Sequence, residues 1–147
     1  KWIVWQNSYK TKHMTATVEY AGNLRCISTH LQSGSIIETD APTDNRGKGE
    51  RFSPTDSVCM ALATCMITTM GIKAMDMKIE LRGTKLEVTK HMLADPRRIG
   101  KIEIVVHIPA LNLDARDKDI LERTGNNCPV MKSLHPDLIV DVNYEWA

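Results

Sequence analysis

The sequence predicts an α+β domain built on antiparallel sheet, and three features point to it. Short alternating segments fill residues 15–39. A run that is apolar on every side follows Ser53-Pro54. Long alternating segments and two short helical patterns fill the remainder. At 147 residues the chain is long enough for one domain with a real core.

Taken in order, Thr15 to Tyr20 alternates as a half-buried strand does, Ala21-Gly22-Asn23 turns, and Leu24 to His30 returns as the second arm of a hairpin. Ser35 to Thr39 reads as a third strand, and residues 40–50 as a polar loop of turn formers. Ser53-Pro54-Thr55-Asp56 then opens a helix. Ser53 suits the cap, Pro54 suits the first helical position where no N–H is needed, and Asp56 meets the positive end of the helix dipole. Val58 to Met70 carries no polar face, which is the pattern of a buried central helix. Residues 77–92 alternate around Arg82-Gly83, and Asp95 to Arg98 forms a turn. From 99 to 108, Ile102, Ile104, Val106 and Ile108 take one face of a strand, opposite Ile99, Lys101, Glu103, Val105 and His107. Asp114 to Thr124 is an amphipathic helix, Cys128-Pro129 starts a short one, and Leu138 to Tyr144 is a final strand. Residues 1–13 stand ahead of this 14–147 domain as an N-terminal extension: an added strand, a partner-binding arm or sequence foreign to the fold.

Composition narrows the function classes. The net charge is +1 and aromatic residues are 5%, so neither an electrostatic footprint nor a stacking platform for nucleic acid is present. No segment reads as a signal peptide or a membrane span, which leads to the expectation of a cytoplasmic protein. Four cysteines at 26, 59, 65 and 128 without a C-x-x-C pair argue against a disulfide scaffold and a closed zinc site, so no metal or other cofactor is expected.

Two of the cysteines invite chemistry. Cys65 lies in the apolar helix, where the plain reading is a small core hydrophobe. Cys128 directly precedes Pro129 and so sits at a helix N-cap, where backbone N–H groups and the dipole would lower the pKa of its thiol. Cys26 and Cys59 read as structural.

The order of these features resembles the OsmC/Ohr family. Ser53-Pro54-Thr55-Asp56 with Ala63-Thr64-Cys65 is similar to that family's helix, with the cysteine eleven residues after Pro54, and Asn127-Cys128-Pro129-Val130 with Ser133-Leu134 is similar to its second cysteine segment. Within the family the chain is most similar to the OsmC-like subgroup. The resemblance implies antiparallel sheets wrapped around two central helices in an intertwined homodimer. It also implies reduction of an organic hydroperoxide, with Cys65 as the peroxidatic thiol, Cys128 as the resolving thiol and a dithiol reductant, by analogy lipoyl-type, to close the cycle. Arg25 is the candidate for the activating cation, with Arg46 or Arg51 as substitutes, and Asp56 matches an acid found in many OsmC-like members. The chain departs from the peroxidase branch at Thr55, where that branch carries Glu. A second reading is a non-catalytic protein of this fold that binds a small apolar or electrophilic ligand at the dimer pocket; a third is a structural dimer with inert thiols.

Overall fold

The computed structural model describes residues 14–147, and the N-terminal extension read at 1–13 lies outside the described residues. The chain divides into two compact units, Lys1–Pro54 and Thr55–Ala147.

The first unit is an antiparallel three-stranded sheet of β1 (Ala16–Gly22), β2 (Arg25–His30) and β3 (Ile36–Asp40), in the order β1-β2-β3. The β1–β2 turn holds Asn23 and Leu24 at φ 50° and 63°. Positive φ at both central residues matches the right-handed twist of the flanking strands. The polar loop after β3 folds back on the sheet: a 3₁₀ turn spans Thr43–Asn45, and the Asp40 N–H donates to Phe52 O at 3.1 Å.

The second unit joins three helices to a second three-stranded sheet. Helix α1 runs Pro54–Asp76, opening at the predicted proline. β4 (Lys85–Ala94) and β5 (Arg97–Ile108) form an antiparallel hairpin, followed by α2 (Ala115–Asn126), α3 (Pro129–Ser133) and β6 (Ile139–Trp146). The alternating stretch read from residue 77 becomes a strand only at Lys85. Gly83 takes φ 92° and Thr84 N–H closes a turn on Leu81 O at 3.1 Å, and a strand cannot run through that backbone geometry.

The sheet order is β4-β5-β6, and β6 pairs parallel to β5, with Ile104 opposite Val142. This corrects the expectation of antiparallel pairing throughout. A hairpin needs a short turn, but residues 109–138 carry two helices, and such a crossover brings the next strand back in the same direction. β5 is therefore central, and its wholly apolar face is the inward one: Ile102, Ile104, Val106 and Ile108 are all at most 2% exposed. They share one core with Leu62, Met66 and Met70 of α1, Leu121 of α2 and Cys128. Full burial of each large side chain is worth about 1.5–3 kcal/mol.

By length and composition α1 is also a helix able to cross a membrane, contrary to the sequence expectation, yet its stripe of Cys59, Leu62, Ala63, Met66, Met70 and Ala74 is buried in this core. The rest of the helix is not covered. Val58, Ile72 and Met75 are 40%, 61% and 78% exposed. Ala61 and Thr68 are exposed and Cys65 half-buried on the same face. The expectation of a helix buried on every side thus holds for one stripe only within a single chain.

Candidate active site

The structure brings Cys65 and Cys128 together. Cys65 lies on the edge of α1's buried stripe, because its direction around the helix falls between the core face and the open face. Cys128 is the N-cap of α3, with Pro129 at the first helical position, as the Cys-Pro sequence predicts. The cap is fully buried; its Sγ accepts the Met131 N–H at 3.4 Å, while its own N–H donates to Gly125 O at 3.2 Å.

The electrostatics reverse one expectation. The cap position predicts a lowered pKa for the Cys128 thiol, yet it is raised: burial dominates, the Met131 N–H opposes it, and Cys65 alongside pushes it further up. The acidic thiol is Cys65. The Val130 backbone N–H lowers its pKa most, burial opposes, and hydrogen bonds from the Cys128 thiol and the Thr69 hydroxyl lower it further. Thr69 Oγ1 also donates to the Cys65 carbonyl at 2.7 Å, one turn back along α1. A helix-borne thiol in apolar surroundings would need a nearby cation by the usual rule; here backbone and side-chain donors lower it. Neither Val130 nor Thr69 was singled out from the sequence. Pro129 was the available signal for Val130, since a proline at the first helical position leaves the next N–H groups without intrahelical partners.

Asp56, in the first turn of α1, has its Oδ1 2.5 Å from Lys90 Nζ, and the same ammonium donates to Thr55 Oγ1 at 2.8 Å. Lys90 reaches them from β4 and was not anticipated.

Arg25 belongs to the first unit. It lies directly across β2–β3 from Asp40, and its Nε and Nη2 bind both Asp40 oxygens at 2.7 and 2.8 Å. Nη2 also donates to Glu50 Oε2 at 2.9 Å. The bidentate guanidinium holds the Asp40 carboxyl below the usual carboxylate range, and the two acids push the Arg25 pKa up. Arg51, the substitute candidate, is ion-paired to Glu38 at 2.7 Å. Cys59 is buried and its thiol pKa is raised by that burial, as suits a structural residue. Among the described residues, no group of three or more His, Cys, Asp or Glu side chains is arranged to hold a metal ion.

An α+β unit that apposes an acidic helix thiol and a buried capping thiol is the class of protein seen here. The chain belongs to the OsmC-like protein family, whose sequence model matches residues 47–143. It is 47% identical to a Psychrobacter arcticus protein provisionally named an osmotic stress induced and detoxification response protein, over 93% of this chain and 99% of that one, with a TM-score of 0.88. It shares its fold with an OsmC-like protein of Mycoplasma pneumoniae (18% identity, 90% and 95% of the two chains, TM-score 0.72). It shares it also with an organic hydroperoxide resistance protein of Legionella pneumophila (15% identity, 92% and 99%, TM-score 0.67). No curated protein matches the chain.

Proposed function

We propose that this protein is a cysteine-based peroxidase that reduces organic hydroperoxides in a reducing, cytoplasmic setting. One observation carries the reading: a pKa-lowered thiol at Cys65 lies within hydrogen-bonding reach of a second thiol at Cys128, with the Val130 N–H on the same sulfur. The name of the Legionella pneumophila protein of the same fold, an organic hydroperoxide resistance protein, supports the choice of substrate.

In the proposed cycle the Cys65 thiolate attacks the terminal oxygen of ROOH. The O–O bond breaks, an S–O bond forms, and RO⁻ leaves and takes a proton from water as ROH, leaving a sulfenic acid. The Val130 N–H that favours the thiolate lies on the attacking sulfur. Cys128 then condenses with the sulfenic acid, forming the S–S bond and releasing water. A dithiol, lipoyl-type by resemblance, resets both thiols by exchange and is itself oxidised to a disulfide. Raised acidity at Cys65 and suppressed acidity at Cys128 divide the roles, since the attacking group must be the thiolate and the resolving thiol must not compete for peroxide.

The remaining assignments are part of the same proposal. By resemblance alone, Arg25 is assigned as an activating cation in addition to the donors on Cys65, and Asp56 as a supporting acid. The working form is a homodimer, and residues 14–147 are its domain.

The test is peptide-mapped mass spectrometry of the reduced protein after one equivalent of cumene hydroperoxide, with Cys65→Ser and Cys128→Ser beside it. The expected products are a Cys65–Cys128 disulfide in the native protein, no product in Cys65→Ser, and a dimedone-trappable sulfenic acid at Cys65 in Cys128→Ser. Unchanged thiols in the native protein would defeat the peroxidase reading. Thr55, in place of the peroxidase branch's Glu, favours one competitor, a protein that captures a small apolar or electrophilic ligand. Adducts on Cys65 with an electrophile, without any disulfide after peroxide, would establish it instead.

A further inference from the structure

The short segment that presents both Cys128 and the Val130 N–H to Cys65 is tied down from β6. Tyr144 lies on the core face of β6 with Val140 and Val142, and its ring packs against the core. Its hydroxyl reaches the last turn of α2, donating to Asn126 Oδ1 at 2.9 Å, with Glu122 O at 3.3 Å as a second acceptor. Gly125 fits between Tyr144 and α1. A Cβ there would stand 2.8 Å from Met70 Sδ and 2.9 Å from the Tyr144 hydroxyl oxygen, so a side chain would force Met70, Tyr144 or the corner itself to shift. The Gly125 carbonyl in turn receives the Cys128 N–H at 3.2 Å. The phenol is half-buried on an apolar strand face, and both acceptors of its hydroxyl lie in α2, within six residues of Cys128.

We propose that Tyr144 is a positioning residue for the thiol pair: its hydrogen bond to Asn126, over the side-chain-free Gly125, sets the α2–α3 corner so that Cys128 and the Val130 N–H meet Cys65. This rests on the peroxidase reading only for its purpose; the positioning is a property of the two thiols. The burial that raises the Tyr144 pKa, to which a negative charge at Cys128 would add, agrees with a phenol that stays protonated and donates.

The experiment compares native protein with Tyr144→Phe, Asn126→Ala, Asn126→Asp and the Tyr144→Phe/Asn126→Ala double variant. Two quantities are read: the pH midpoint of Cys65 alkylation by iodoacetamide, and the rate of Cys65–Cys128 disulfide formation driven by diamide. Diamide takes two electrons and two protons from the dithiol and becomes the hydrazine, so this rate needs no peroxide chemistry. Tyr144→Phe is expected to slow disulfide formation about tenfold, the equivalent of one net hydrogen bond. It also moves the Cys65 midpoint upward. Asn126→Ala, on an exposed side chain, does the same, the double variant adds nothing further, and Asn126→Asp, which still accepts the hydroxyl, restores both readouts. Variants that melt earlier but keep the native midpoint and disulfide rate would overturn the proposal, as would fully additive effects. A native protein that forms the disulfide with diamide but ignores cumene hydroperoxide defeats the peroxidase reading alone.

Discussion

At Cys65 two opposed effects act on one sulfur. Burial in apolar surroundings disfavours the thiolate, and three donors favour it, the Val130 N–H most of all. The donors win at Cys65, whereas burial wins at Cys128. Because the thiolate is the nucleophile, the rate of Cys65 alkylation is expected to rise with pH to a midpoint below that of an ordinary free cysteine, and Cys128 to a midpoint above it. Thr69→Val removes one donor and keeps the shape, so it should shift the Cys65 midpoint upward without unfolding the helix. Alkylation followed peptide by peptide between pH 5 and 10 reads both. A Thr69→Val midpoint equal to the native one would show that its hydroxyl serves only the Cys65 carbonyl. These directions were not legible in the sequence. Cys128 was legible as a cap from Cys-Pro alone, but the sign of its pKa depends on the β5 and α1 side chains that bury it and on Cys65 beside it, and both are tertiary facts.

At the scale of the element, β5 carries the second unit. It is paired on both edges, and its inward residues were readable because period-two alternation survives in a central strand whose other face is mostly polar. Ile104→Ala is expected to cost about 2–5 kcal/mol through lost burial and the cavity left behind, seen as a lower urea midpoint with unchanged slope. What alternation does not carry is strand direction. The pattern of β6 would look the same antiparallel, and only the helix-bearing segment before it decides. In the first unit the register fixes function-relevant chemistry in a similar way, since Arg25 meets Asp40 because they are cross-strand partners. Asp40 has a folded pKa below its unfolded value, so its contribution is present above the ordinary carboxylate range, near pH 4, and is lost as pH falls through the depressed folded value. Asp40→Asn should therefore lower stability at neutral pH and remove that acid-side loss. Amide exchange in β2 and β3 at pH 3 and pH 7 checks it; equal pH dependence in the two proteins would assign the acid sensitivity elsewhere.

For the whole molecule the telling feature is the open side of α1. Val58, Ala61, Cys65, Thr68, Ile72 and Met75 follow one another at spacings of three and four, the 3.5-residue period of a helix seam that meets another helix. Its centre is small and its ends are large, so a second helix can approach closely where Cys65 lies. A single chain leaves Ile72 and Met75 more than half exposed, and burying each would return about 1.5–3 kcal/mol. A groove of about 480 Å³ continues the same surface past Gly71, Ile72 and Met75 to Ile79 and Leu81. The occupant this pattern fits is a second α1, in the proposed homodimer. Ile72→Glu would place a charge in that seam while sparing the core stripe, since Ile72 is outside it. The variant is expected to sediment as a folded monomer at micromolar concentration, where the native protein sediments as a dimer, and to lose peroxide turnover if the partner helix closes the surface around Cys65. Its circular dichroism should match that of the native protein. A native protein that sediments as a monomer would remove the dimer from the proposal, and the exposed seam would then have to be covered by a different partner. A dimeric Ile72→Glu would move the interface to another surface.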